Sequence, residues 1–197
     1  MTAIPLPARA PTTFPVAMRA IHWASAGLML LVLVLAWISP EGETTEGSIV
    51  MLHKAFGITL LALTAARLAL RNMSRIPPED AGVPHIEALA ARVSLWLLYG
   101  ILFAMPLSGY LSEAARGRGV DMFGLFTVPA LLPASAMLHD AAWTLHSAGQ
   151  LAVYAVVGLH AAASLYHLVV RRDGVMARMW PGVSRLMPQE AAHPAAE

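Results

Sequence analysis

Four histidines, His22, His53, His146 and His160, lie inside apolar stretches of this 197-residue chain, where an ionisable side chain is costly and is kept for a task. The last two share one hydrophobic segment and are fourteen residues apart. Fourteen steps of about 100° come to roughly 1400°, within about 40° of four full turns, so both imidazoles face the same way about 21 Å apart along a helix. Imidazole is an axial ligand for haem iron. Two of them on one stripe, with further histidines on other segments to complete each site, suggest stacked haems.

The surroundings must be lipid. Hydrophobic residues make up 57% of the chain and charged residues 13%, against about a quarter charged in soluble domains, and the mean hydropathy is +0.61. The fold class expected is an all-α membrane protein, a four-helix transmembrane bundle in one domain. Four spans are each near the roughly 20 residues that cross the hydrocarbon. They run from about Val16 to Ile38, Ile49 to Leu70, Glu87 to Leu111 and Ala141 to Val170. Pro106 and Gly109 are expected to kink the third, as membrane helices tolerate. Residues 112 to 140 form the one long loop, and its FGLFTVPALLP is apolar enough to lie on the bundle rim or in the interface.

Lysine and arginine set the orientation. With the N-terminus cytoplasmic, Arg9, Arg19, Arg67, Arg71, Arg75, Arg92, Arg171, Arg172, Arg178 and Arg185 lie toward inner ends, and only Lys54, Arg116 and Arg118 toward the outside. This positive-inside bias puts both termini in the cytoplasm. A cleaved signal peptide is disfavoured, because the run from Ala24 to Ile38 is long and no small-residue cleavage site precedes Ser39-Pro40. Residues 1–13 read as an N-terminal cytoplasmic segment, 14–182 as the four-helix domain and 183–197 as a disordered tail. No nucleic-acid partner is expected. The absence of cysteine excludes covalent haem attachment, iron–sulfur clusters and disulfides.

Depth sorts the histidines. His53 and His146 both fall near outer starts of their spans and form a natural pair; His22 lies inward and needs a partner from the inner half of the fourth span, either His160 or His167. His167 is about 31 Å from His146 along a helix, the whole hydrocarbon thickness, whereas His160 keeps both centres within the membrane. His160 is therefore preferred. Gly57 follows His53 by one turn, leaving room for a bulky group, although helix contacts also favour small residues. Arg67, fourteen residues after His53, shares its stripe and suits a haem propionate, or else snorkels.

These stretches resemble the bacterial cytochrome b561 family: RAIHWASAGLMLL, LHKAFGITLLALTAARLALR, LYGILFAMPLSGYL, the outer FGLFTVPALLP, and LHSAGQLAVYAVVGLHAAASLYHLVVRRDGVMARMWPG. The resemblance covers about residues 14 to 182. It implies four helices carrying two haem b groups, ligated at the positions of His22, His53, His146 and His160, in a multi-pass protein of the bacterial inner membrane. Where many relatives carry a third-span histidine, this chain has Leu95, outside the ligand set. Similar proteins oxidise superoxide at the periplasmic face and reduce ubiquinone. Lys54, beside His53, with Arg116 and Arg118 would steer the superoxide anion, or else these charges are solvated or paired with Glu113 and Asp121. His167 with Arg171 would serve a quinone, or else His167 is structural or touches a haem propionate. The alternative expectation is a haem b electron-carrier subunit serving a separate redox partner protein.

Overall fold

The computed structural model describes residues 13–39, 48–77 and 84–186. Most of the expected N-terminal segment, the acidic link at 41–46 and the end of the expected tail lie outside these residues. Four helices are long and apolar enough to cross a membrane: α1 (Val16–Ile38), α2 (Ser48–Met73), α3 (His85–Ala114) and α4 (Ala136–Tyr166). We call the end of the bundle holding the start of α1 inner and the opposite end outer, after the expected orientation.

Local chemistry sets the helix bounds. Pro15 and Pro84 precede α1 and α3, where a residue with fixed φ and no needed N–H starts a helix well. The Pro84 carbonyl accepts from the Glu87 and Ala88 amides at 2.9 and 3.1 Å. Helix α3 runs through Pro106 as one element. Helix α4 starts five residues before the expected Ala141, because the Ser135 hydroxyl accepts from the Leu138 amide at 3.3 Å and caps it. At its inner end α4 widens into a π-helical turn, His167–Arg171. The chain then reverses through Arg172 and Gly174, at φ 52° and 81°, into a short helix α5 (Val175–Met179). Order continues past residue 182: Pro181–Leu186 forms a 3-10 helix and Val183 is buried, so these residues depart from the expectation of a disordered tail.

The outer loop is shorter and more structured than expected. Strands β1 (Val120–Met122) and β2 (Phe126–Val128) pair antiparallel, Val120 opposite Val128. Phe123 and Gly124 take φ of 60° and 74°, and the Leu125 amide donates to the Met122 carbonyl at 3.0 Å. This is a type I′ hairpin turn. Val120 and Met122 pack on Ala55 of α2, and the Phe56 and Phe123 rings meet at 4.9 Å. The hairpin thereby lids the outer end, while Leu125 and Phe126 stay exposed, as the interfacial reading of this loop requires.

Neighbouring helices approach closely in the order α1 with α2, α2 with α3, and α3 with α4; α4 makes no comparable backbone approach to α1 or α2 among the described residues. Halfway along the bundle one side chain from each helix, Met29, Leu60, Leu102 and Val153, joins in a buried apolar layer. Val153 is seven residues from both His146 and His160, about 10 Å from each. On the outer side of this layer a cavity remains between α4 and the α1–α2 pair.

Candidate functional site

The two histidine pairs flank that layer. The His53 and His146 rings face each other across α2 and α4, centroids 6.1 Å apart and planes at 84°. His22 and His160 do the same across α1 and α4, at 6.3 Å and 78°. His167 stands apart, its Nδ1 2.7 Å from Asp173 Oδ2.

The outer pair is oriented by main-chain carbonyls. His53 Nδ1 lies 3.0 Å from the Val32 oxygen on α1, and His146 Nδ1 2.9 Å from the Met105 oxygen on α3. A carbonyl only accepts, so each ring donates from Nδ1, and Nε2 keeps its lone pair for a metal. Ser108, buried on α3, donates to the same Met105 oxygen at 2.9 Å and stands 3.2 Å from His146 Nδ1. Gly109 lets the ring close on α3, since a Cβ there would sit 3.0 Å from His146 Cε1. A cavity of about 350 Å³ reaches from Lys54 and Glu113 at the rim, past His53 and His146, to Leu60 and Val153. Gly57 lines it, and a Cβ at that position would project into open space.

The inner pair has different neighbours. Three buried side-chain nitrogens lack a hydrogen-bond partner among the described residues: Arg19 Nε, His22 Nδ1 and Arg67 Nε. Arg19 is three residues before His22. The Arg67 guanidinium carbon lies 5.7 Å from the centre of the Tyr99 ring on α3, and its charge acts on both His22 and His160. From below, the Trp180 ring meets Trp23 at 5.7 Å, and the Phe14 amide donates to the Arg178 carbonyl at 3.1 Å. The segment after α4 is thus strapped across the inner end of α1.

Two metal–imidazole bonds of about 2.0–2.1 Å plus half a ring on each side come to roughly 6 Å, the separation found in both pairs. Among the described residues no three His, Cys, Asp or Glu side chains gather at one point. A bare ion would be poorly served. A haem brings four nitrogens of its own and asks the protein for two, and the open cavity beside Gly57 and the unpartnered cationic nitrogens of Arg19 and Arg67 suit its macrocycle and its carboxylates. The residues present fit the group.

The remaining expected site residues are engaged with protein partners. Lys54 Nζ is 2.9 Å from Glu113 Oε2, with both side chains largely buried, so its charge is largely offset. Lys54, Glu113, Arg118 and Asp121 border a second hollow at the rim, while Arg116 is exposed. Arg171 bridges Glu87 of α3 and Asp173, the latter at 3.2 Å. The two histidine pairs were readable from spacing. The carbonyls of Val32 and Met105 and the Trp23–Trp180 contact were not, since main-chain groups carry no residue identity and the two tryptophans are distant in sequence, whereas pairing with Glu113 was the alternative to a steering role for Lys54.

The sequence profile of the family described as prokaryotic cytochrome b561 matches residues 13–182. The chain is 32% identical over 174 residues to Cytochrome b561 homolog 2 of Escherichia coli (strain K12), covering 86% of this chain and 92% of that protein. It is also 32% identical over 167 residues to a Probable superoxide oxidase CybB of Yersinia pestis, covering 82% and 92%. Cytochrome b561 homolog 1 of Escherichia coli (strain K12) is 25% identical over 169 residues, covering 82% and 93%.

Proposed function

The chain belongs to the prokaryotic cytochrome b561 family, and from this premise, that it is a multi-pass bacterial membrane protein of haem b electron transfer, we propose that it carries electrons through two bis-histidine sites from the periplasmic face of the inner membrane to ubiquinone. The observation that carries this reading is the pair of facing imidazole couples stacked along α4. When bound at each couple, haem b supplies one-electron oxidation and reduction.

The chain's own groups set the terms. His53 with His146, and His22 with His160, would each hold one haem through two imidazoles and would leave no iron position open to oxygen. The carbonyls of Val32 and Met105 hold the outer rings in the tautomer that presents Nε2. Arg67 and Arg19 offer buried guanidinium nitrogens to the inner carboxylates. The layer of Met29, Leu60, Leu102 and Val153 excludes water between the sites.

Superoxide as the outer donor is supported by the relative named a probable superoxide oxidase. Since Lys54 is bonded to Glu113, attraction of the anion rests on Arg116 and Arg118 acting with it. Ubiquinone would be reduced at the inner end, near His167 and Arg171, where Asp173 and Glu87 already hold both side chains. Haem content and a reduced-minus-oxidised spectrum of the purified protein test the central claim: a b-type α-band and about two haems per chain are expected, and a haem-free protein overturns it. Stopped-flow mixing with superoxide tests the donor. Slow haem reduction that ignores salt and Arg116→Glu/Arg118→Glu would instead favour a carrier subunit fed by a partner protein.

A further inference from the structure

The two imidazole couples differ in the groups around them, and each difference biases a bound metal's reduction in a known direction. At the outer couple both rings donate through Nδ1 to carbonyl oxygens, at 3.0 and 2.9 Å. Such a bond makes the imidazole more electron-rich, which favours the oxidised, more positive metal. The cation beside that couple, Lys54, is offset by Glu113 at 2.9 Å. At the inner couple His22 Nδ1 is buried without an acceptor among the described residues, so it gives no such enrichment. The Arg67 guanidinium, whose charge reaches both rings, stands there instead, and Arg19 lies one helical turn before His22 on α1. Neither Arg19 nor Arg67 has a carboxylate partner among the described residues, and Arg67 is held in place over Tyr99. Positive charge in a poorly solvated site favours the reduced, less positive metal. Carboxylates of an inner haem would be paired by these guanidiniums, whereas at the outer couple the nearby cation Lys54 is already taken by Glu113, so the inner couple stays the less negative of the two.

We propose that Arg19 and Arg67 make the inner couple the higher-potential site, while the Val32 and Met105 carbonyls make the outer couple the lower-potential one, so that the resting arrangement of charges directs electrons inward. The inference rests on the two-haem reading above and adds an order to it.

The test is an optically monitored redox titration of the purified full-length protein, with haem content measured on the same samples. Two components are expected in the unaltered chain. His146→Ala should keep one haem, titrating as the higher-potential component. Arg67→Met should lower that component alone, changing its reduced-to-oxidised ratio at fixed ambient potential by at least tenfold, or 59 mV for a one-electron couple. Arg67→Lys should restore most of it. Should Arg67→Met fail to retain the inner haem, Arg19→Gln provides the same comparison in the same direction. The order is overturned if the haem left in His146→Ala titrates as the lower component, or if removing either arginine's charge shifts the lower component or neither. A protein with two haems and the reverse order refutes this inference alone; one that binds no haem refutes the two-haem reading itself.

Discussion

The four histidines are not equivalent, and substitution should reveal it. His160→Ala is expected to lose the inner haem and keep the outer, leaving about one haem per chain by pyridine haemochrome assay. His167→Ala should keep two, because His167 is committed to Asp173 at 2.7 Å; loss of a haem there with retention in His160→Ala would reverse the ligand assignment. Gly57→Leu should lower haem content selectively at the outer couple, since the new side chain would fill the cavity that Gly57 leaves open. Lys54→Met leaves the Glu113 carboxylate, which is 7% exposed, without its cation. We expect a loss of about 1–3 kcal/mol in stability, read by thermal unfolding in detergent, and recovery in Lys54→Met/Glu113→Gln.

Among the elements, the hairpin is the one whose backbone leaves least freedom. Gly124 at φ 74° follows Phe123 at φ 60°, and Gly124→Val should cost about 1–2 kcal/mol in the turn. Faster hydrogen exchange confined to residues 118–130, with the inner couple's spectrum unchanged, is the expected result. Much of the element plan was legible before the structure. Helix α1 runs from Val16 to Ile38 as read, because a proline and a Ser-Pro step frame an unbroken apolar run, and α2 and α3 differ only by residues at their ends. The hairpin was hidden: three-residue strands give no usable alternation, and a phenylalanine at positive φ is not a turn signal. The start of α4 was misplaced for a related reason, since His139 and Asp140 interrupt the apolar run while the cap at Ser135 lies before them. The fourteen-residue spacing of His146 and His160 is unaffected, since it holds wherever α4 begins.

For the molecule as a whole, the apolar layer of Met29, Leu60, Leu102 and Val153 has an electrical consequence. Its side chains give ions and protons no polar partner, so an electron passing between two bound haems would be an uncompensated charge moved across most of the insulator. The couples are fourteen residues apart on α4. That is about 21 Å of a hydrocarbon core of about 30 Å, so in the proposed orientation inward transfer would work against an inside-negative voltage by roughly 1.6 kcal/mol per 100 mV. In sealed vesicles of known orientation, inward turnover should accelerate when an ionophore collapses the voltage, and the Leu60→Asn variant should add proton leak without changing haem content. With two haems bound as proposed, the protein would act as a capacitor plate pair as much as a wire: the greasy spacer would make membrane voltage a throttle on the reaction.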